Sequence, residues 1–269
     1  MSNPAIFIIS AFIKGLKMSI RCKINLYCLN IILLTCLPLS ANTYTVISYN
    51  PPNPPHNVQI VDNQGNLKIS GIFADMFTRI GDITGDKFIM VPMPAARSIL
   101  EFDHGRVDIE PGISPSWRSY AKEPGMYSIT YDSVEEVIVF RSGELFDVKT
   151  PKDLFGRKVG IVRGFTYPRF ESAFTLRKIE QILNKSEDLL VKQLLRKRVD
   201  QIFISKRSVE YMKKHDPALS KLVVGDVVSS VEVMMRVHPT KLELLPRLNK
   251  ALKQMINDKS IEKIIAKYK

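Results

Sequence analysis

The stretch GIFADMFTRIGDITGDKFIMV, residues 71–91, predicts a helix followed closely by a strand. Apolar side chains recur at helical spacing over residues 72–83 and define one face of that helix: Phe73, Met76, Phe77, Ile80 and Ile83. Residues 87–91 then favour a strand because they form a short apolar run of the kind that strands prefer. A helix packed directly before a strand is the repeating unit of an α/β fold.

The same alternation continues on both sides of this stretch. Upstream, residues 44–49 predict a strand, and residues 58–61 and 67–69 predict a hairpin around the turn Asp62-Asn63-Gln64-Gly65. Downstream, residues 95–102 predict a helix, and residues 107–109 predict a short strand. Strands that alternate with helices in this way form a parallel sheet wrapped by crossover helices.

A second α/β unit follows the first. Its strands are predicted at residues 135–140, 158–162, 199–204, 221–224 and 231–237. Its helices are predicted from near Tyr167-Pro168 and at residues 186–195, 208–214, 244–256 and 260–268. The chain therefore contains two α/β units without a low-complexity linker between them.

The composition is that of a globular protein that is exported. Hydrophobic residues make up 45% and charged residues 25% of the 269 residues, which excludes a disordered chain. The formal net charge is +12, but a third of this excess lies in the first 41 residues, which contain no acidic residue. The remaining basic residues are scattered along the chain. They are therefore better explained as solvent-exposed surface residues than as a surface that binds nucleic acid.

Residues 1–41 have the pattern of a secretory signal peptide. Basic residues precede an almost wholly apolar segment, residues 25–39, and the small pair Ser40-Ala41 follows it. Met18 as the start codon would give a leader of ordinary length. A lipid anchor on Cys36 is the rival interpretation, but the residues before this cysteine do not favour it. We therefore expect a periplasmic protein.

Neither a metal site nor another cofactor is predicted. All three cysteines, Cys22, Cys28 and Cys36, lie in the leader, which excludes a disulfide framework or a cysteine nucleophile from the mature chain. The four histidines have no metal-ligand spacing with one another: His56, His104, His215 and His238.

Eight short motifs follow one another along the chain: GIFAD at 71–75, GRVD at 105–108, SPSWR at 114–118, KDLFGRKVG at 152–160, RGFTY at 163–167, KRVD at 197–200, LNKAL at 248–252 and IIAKY at 264–268. As an ordered set, they resemble the bacterial extracellular solute-binding proteins, family 3, which serve polar amino-acid ABC transporters. The resemblance covers residues 44–268, and it depends on the order of the motifs because each motif alone is weak.

The resemblance implies a two-lobed type II periplasmic binding protein fold. Each lobe would be a mixed, mostly parallel sheet flanked by helices, and two hinge crossovers near 133–134 and 229–230 would join the lobes. Lobe one would comprise residues 43–133 plus 230–269, and lobe two residues 134–229. A ligand between the lobes would close the hinge. We expect a monomer whose partner is an inner-membrane transporter or receptor.

The resemblance also implies three ligand-binding residues. Arg118 occupies the position of an arginine that holds the ligand carboxylate through a two-pronged ion pair, a geometry that suits a guanidinium. An extra residue, Trp117, precedes it here. Gly164 and Thr166 form a turn expected to present backbone amides to an anion from the opposite lobe. The alternatives are a surface pair of Arg118 with Glu123 and a purely capping role for Thr166.

Five further residues are candidates with open alternatives. Ser114 is either a ligand contact or a turn residue. Trp117 and Tyr49 either stack on a ligand or pack in the lobe. Arg97 either faces the cleft or forms a salt bridge on the helix surface. Glu110, at the end of the predicted strand 107–109, is expected to pair with Arg97 or with a ligand amine.

Ser205 is the main departure from the family pattern. The amino-acid binders carry an acidic residue at this position, which pairs with the α-ammonium group of the ligand. A serine cannot neutralise a buried ammonium, and an unpaired buried charge is costly. The expected ligand is therefore a small polar or anionic molecule that keeps a carboxylate but need not be an α-amino acid.

Two other functions remain open at this point. A sensory protein that engages a receptor would use the same ligand-binding module, and the sequence does not separate signalling from transport. A dehydratase-like enzyme on the same fold is the second alternative, but no Ser-His-Asp order supports catalysis. Solute binding without catalysis is the function that the sequence favours.

Overall fold

The computed structural model describes residues 41–269, so the predicted leader and Cys36 lie outside the described residues. Within this range, none of the helices has both the length and the apolar character needed to cross a membrane. Eleven strands are described: β1 Thr43–Tyr49, β2 Val58–Val61, β3 Leu67–Ser70, β4 Lys87–Met93, β5 Ile109–Ile113, β6 Met126–Tyr127, β7 Asp132–Phe140, β8 Lys158–Val162, β9 Glu180–Asn184, β10 Gln201–Ser205 and β11 Val223–Val237.

Within residues 41–269, seven α-helices flank the strands: α1 Ile72–Thr84, α2 Ala95–Asp103, α3 Glu171–Thr175, α4 Glu187–Leu195, α5 Lys206–His215, α6 Leu245–Asn257 and α7 Ser260–Ala266. The same part of the chain contains four 3-10 helices: Pro115–Arg118, Pro151–Leu154, Pro217–Lys221 and Pro239–Leu244. Helix α1 buries the predicted apolar face and ends at Gly85, which takes the left-handed conformation that favours glycine.

The sheet is mixed, and two long strands in its middle, β7 and β11, connect its two ends. Its order is β4-β1-β5-β11-β7-β10-β8-β9, with β6 paired to β11. Strands β4, β1 and β5 are mutually parallel and form the first strand group. Strands β10, β8 and β9 are mutually parallel and form the second strand group. Strands β7 and β11 run antiparallel to each other between the groups.

The hydrophobic cores follow this arrangement. One core packs α1, α6 and α7 against β1 and the end of β11, and includes Met76, Ile109 and Leu252. Two more cores lie around the second strand group, one containing Phe203 and the other Leu190. The α/β class and the mixed sheet predicted from the sequence are confirmed.

Several elements differ from their predictions. The strand predicted at 107–109 runs from Ile109 to Ile113, through Pro111 and Gly112, residues that usually argue against a strand. The strands predicted at 221–224 and 231–237 are one continuous strand, β11, because it pairs with β7 along most of its length despite two register shifts. Strand β9 was not predicted.

Candidate functional site

A partly enclosed cavity lies between the two strand groups, with about 70 Å³ of space open to water. Six of the nine predicted site residues line it: Tyr49, Trp117, Arg118, Gly164, Thr166 and Ser205. Residues from both strand groups and from β7 contribute to the walls. A volume of this size holds about five water molecules, which is also room for a small solute.

The two sides of the cavity touch each other directly. The Thr166 Oγ1 hydroxyl donates a hydrogen bond of 3.3 Å to the backbone oxygen of Trp117. The rings of Tyr49 and Phe165 lie with centroids 6.0 Å apart. Gly164 contacts the backbone of helix α2 so closely that a Cβ atom on it would lie 2.9 Å from the Cα and N atoms of Ala96. The two sides of the cavity are therefore in direct contact in this structure.

Arg118 forms a two-pronged ion pair, but with Glu110 of this chain. Its Nε donates to Glu110 Oε2 at 3.1 Å, and its Nη2 donates to Oε1 at 2.6 Å. Arg236 Nη1 donates to the same Oε2 atom at 2.8 Å. All three side chains are buried, and Glu110 and Arg236 are fully inaccessible. The guanidinium face that was expected to hold a ligand carboxylate is thus occupied.

Glu110 stabilises the charges of both arginines in a buried environment. Burial opposes the charge on Glu110, but Arg118 and Arg236 outweigh it and lower the pKa of the carboxyl group. Burial also opposes the charge on Arg118, and Glu110 more than compensates, so the pKa of the guanidinium is raised. Arg236 also lies 3.7 Å from the Asp103 carboxylate, so two arginines and two carboxylates meet beside the cavity wall.

The expected partners of Arg118 and Glu110 are therefore different in the structure. Glu123 does not pair with Arg118; its backbone oxygen accepts a hydrogen bond from Arg236. Glu110 does not pair with Arg97, because Arg97 is exposed on helix α2 and bonds Glu101 at 3.2 Å. Neither Glu110 nor Arg97 lines the cavity.

Ser114 is buried but also lies outside the cavity lining. Its hydroxyl hydrogen bonds the Ser116 hydroxyl at 3.0 Å, within the turn that precedes Trp117. This geometry corresponds to the turn-residue alternative.

The turn at Gly164 and Thr166 lacks the expected helix start. Helix α3 begins only at Glu171 and has five residues, so the helix dipole cannot act at Thr166. The Tyr167 amide is already bound by the Glu171 side chain at 3.1 Å. The amides of Gly164 and Thr166 donate to no other described residue, and both residues line the cavity, so the turn keeps two free N–H groups.

Two buried glutamates that the sequence analysis missed line the other side of the cavity. Glu136 lies on β7 and accepts a hydrogen bond of 3.2 Å from the Tyr167 hydroxyl. Glu187 is the first residue of α4 and accepts a hydrogen bond of 3.3 Å from the backbone N–H of Ser205. Glu136 is 5% exposed and Glu187 is 1% exposed. A carboxylate therefore stands beside the position where the family's acidic residue is replaced by serine.

The alternation of side chains along β7 could have indicated that Glu136 is buried, but no sequence pattern indicated Glu187. Val134, Glu136, Ile138 and Phe140 alternate on one face of β7, which places Glu136 in an apolar row. Glu187 follows the cap residue Ser186, and an acid in the first turn of a helix has an ordinary structural reason. His56 was missed as well; it lines the cavity, and burial lowers its pKa to about 4, which keeps the imidazole neutral.

The two glutamates predict an unusual dependence of stability on pH. Burial raises the pKa of Glu136 to about 8, with help from Glu187, and burial raises that of Glu187 to about 7, from an ordinary value of 4.5. Because the folded state holds these protons more tightly than the unfolded state, their contribution is greatest below pH 4.5 and is lost as the pH rises through 7 and 8.

We therefore expect the ligand-free protein to lose more stability between about pH 4.5 and 8 than the double variant Glu136→Gln/Glu187→Gln. Urea unfolding of both proteins across this range measures the difference, and other titrating groups cancel in the comparison. Parallel stability curves for the two proteins would show that the glutamates are ionised in the folded state.

Comparison with known proteins gives a family and a fold. The family described as bacterial extracellular solute-binding proteins, family 3, matches residues 45–269. No curated protein sequence matches the chain. An ancestral arginine-binding protein bound to arginine is 23% identical, with a TM-score of 0.70, covering 84% of this chain and 97% of that one.

Two further solved structures have the same fold. A substrate-binding protein of an amino acid ABC transporter from Streptococcus pneumoniae, bound to L-arginine, is 18% identical with a TM-score of 0.70, covering 84% of this chain and 94% of that one. A mutant of an arginine-binding protein from T. maritima is 22% identical with a TM-score of 0.68, covering 85% and 95%. At these identities the likeness concerns the fold alone.

Proposed function

This chain belongs to the bacterial extracellular solute-binding proteins of family 3, and we propose that it is a periplasmic binding protein for an ABC-type transporter. It closes on a small carboxylate-bearing solute, an amino acid or a related polar metabolite, and presents the closed form to the transporter. Binding without chemical conversion of the solute is part of this proposal.

One observation carries the proposal: residues that line the cavity from both sides contain buried polar atoms without hydrogen-bond partners. Trp117 Nε1 on one side and Ser205 Oγ and Glu187 Oε2 on the other are fully buried and have no hydrogen-bond partner. An unpaired buried polar atom costs free energy, so such groups are normally satisfied by water or a ligand. A solute between the two sides would satisfy them and hold the sides together.

The two sides are proposed to be the two lobes of the hinge. Lobe one comprises residues 43–133 plus 230–269, and lobe two comprises residues 134–229. The distribution of the hydrophobic cores supports this division, because the first core draws on both ends of the described chain and the other two lie within residues 137–228. Strands β7 and β11 then serve as the two crossings, which absorb the rotation between lobes.

The remaining hydrogen-bond donors of Arg118 support a carboxylate on the solute. Glu110 occupies one edge of the Arg118 guanidinium, and Nη1 donates to the Trp117 backbone oxygen at 3.0 Å. Each Nη nitrogen carries a second N–H, so Arg118 keeps donors beyond these bonds. Together with the amides of Gly164 and Thr166, these donors suit an anionic group. The relatives that hold L-arginine make amino acids the first solutes to test.

Thermal unfolding in the presence of amino acids and related carboxylates tests the proposed function. A solute that binds only the folded state raises the melting temperature. Trp117 is the sole tryptophan of the chain and lines the cavity, so its fluorescence reports binding at this place. We expect a solute that raises the melting temperature and also changes the tryptophan emission. A rise in melting temperature with unchanged emission would place binding elsewhere.

A further inference from the structure

The fold brings basic residues together at one edge of the second strand group. Strands β8, β9 and β10 are parallel, so they begin at the same edge of the sheet, and β7 ends there because it runs antiparallel to β10. The turns at this edge contain eight basic and four acidic residues, a net charge of +4. We call these turns the basic edge: residues 141–147, 155–158, 176–180 and 195–200.

The basic edge is one surface, and it is separate from the cavity. Hydrogen bonds join its turns: Arg141 Nη1 donates to the Val199 oxygen at 2.7 Å, the Gly156 amide to the Lys178 oxygen at 2.8 Å, and the Lys158 amide to the Asp200 carboxylate at 2.8 Å. Strands β8 to β10 have five residues each and lead from this edge to the cavity, so about 17 Å separates the two.

Most of the positive charge on the basic edge is not neutralised. Arg141 pairs with Glu144 at 2.6 Å, and Lys158 lies 3.8 Å from Glu180. The other six cations are exposed and form no salt bridge within residues 41–269: Arg157, Arg177, Lys178, Arg196, Lys197 and Arg198. Such a concentration of unpaired cations attracts anionic partners.

Two of these cations occupy backbone positions that favour glycine. Arg177 has a φ of 54° and Lys197 a φ of 56°, and they are two of the three non-glycine residues with positive φ in the described chain. The left-handed conformation is unfavourable for a residue with a Cβ atom, whereas glycine adopts it freely. The turn geometry therefore does not explain the basic side chains, which indicates that the charge itself is used.

Each turn of the basic edge also exposes a large apolar side chain. The exposed fractions are 55% for Leu145, 45% for Phe155, 65% for Leu176 and 43% for Leu195. A soluble anion would leave these side chains in water. A membrane surface accepts apolar side chains at the boundary of its headgroups and attracts neighbouring cations when its lipids are anionic. The combination of exposed apolar side chains and unpaired cations therefore fits an anionic membrane.

We propose that the basic edge binds the surface of an anionic phospholipid membrane. The six unpaired cations contact lipid phosphates, and the four apolar side chains enter the headgroup boundary. This surface lies outside the cavity, so the inference goes beyond solute binding and does not depend on it.

Sedimentation with lipid vesicles tests the membrane-binding surface. Residues 41–269 form one compact unit with its own hydrophobic cores, and they are used so that the apolar leader does not contribute. We expect binding to vesicles of phosphatidylglycerol and phosphatidylcholine in equal parts, weakened by salt, and much less binding to phosphatidylcholine alone. Equal binding to both kinds of vesicle, or none to either, overturns the proposal and leaves solute binding standing.

The double variant Arg177→Gly/Lys197→Gly tests the cations without adding strain. It is expected to bind the anionic vesicles about 30-fold more weakly, since each cation near such a surface strengthens binding about fivefold, and to keep a melting temperature close to that of the wild type. Lys250→Gln/Lys259→Gly is the matched control, because both lysines are exposed outside the basic edge and Lys259 has a φ of 59°. An equal loss in the control would assign binding to the overall charge and overturn the proposal.

Leu176→Ser distinguishes a membrane from a soluble polyanion. It is expected to weaken vesicle binding about tenfold, because the leucine side chain enters the lipid, and to leave binding of heparin unchanged. Leu242→Ser is the control, because Leu242 is similarly exposed, at 52%, but lies outside the basic edge. If both serine variants bind vesicles equally well, the basic edge serves a soluble polyanion and the membrane assignment is wrong.

Discussion

Replacing Glu110 with glutamine is expected to lower the free energy of unfolding by about 3–5 kcal/mol. Glutamine has nearly the same shape, but it removes the only negative charge that Arg118 and Arg236 share. Arg118 is 4% exposed and Arg236 is inaccessible, so water cannot replace the lost carboxylate. The two buried guanidinium groups would then repel each other, and Asp103, 3.7 Å from Arg236, would be the nearby negative charge that remains.

Urea unfolding of the Glu110→Gln variant measures this loss, and the chain offers a matched control. Glu101 also accepts hydrogen bonds from two arginines, from Arg97 at 3.2 Å and from Arg106 at 2.5 Å, but at the protein surface. Since water screens exposed ion pairs, Glu101→Gln is expected to change stability much less. Equal losses in the two variants would contradict a special role for the buried cluster.

Replacing Gly164 with alanine is expected to weaken solute binding about 100-fold by preventing closure. The added Cβ atom would lie 2.9 Å from the Cα and N atoms of Ala96. Those atoms belong to the backbone of helix α2, so no side-chain rotation can remove the clash. In the proposed hinge motion, only the closed form would bring the turn at Gly164 against α2, so the folded open form would persist in the variant.

Gly156→Ala is the control for this variant. Gly156 also has a positive φ, 78° against 92° for Gly164, but no atom lies within 4 Å of its added Cβ. Both variants therefore carry similar backbone strain, and only one carries the clash. Calorimetry with the best solute from the thermal screen compares them. Equal affinities in the two alanine variants would show that contact of Gly164 with α2 is not required for binding.

Local sequence patterns predicted the presence of helices and strands well, but they predicted the first and last residues of these elements less well. The apolar face of α1 and the strand that follows it were both predicted from residues 71–91, because periodicity depends on near neighbours. The start of α3 at Glu171 and the extension of β5 to Ile113 were not predicted. In β5, antiparallel pairing with β11 overcomes the local preference of Pro111 and Gly112.

Within the candidate site, the sequence indicated positions but not partners. Trp117, Arg118, Gly164 and Thr166 all line one cavity, as their motifs suggested. Glu187 had no signal, because an acid at a helix start is common for other reasons. The function of Glu187 in the proposed site depends on the tertiary structure, because β10 ends beside α4 and brings the Ser205 amide to the Glu187 carboxylate.

The sequence alone determined the α/β class and the family, because these follow from spacing and from motifs that are contiguous in the chain. Only the tertiary structure decided which charge neutralises which. Glu110 and Arg236 are 126 residues apart in the chain and 2.8 Å apart in space. The free energy of a buried charge depends on whatever lies within a few ångströms of it, and in a folded chain those neighbours come from segments whose separation in sequence carries no periodic signal.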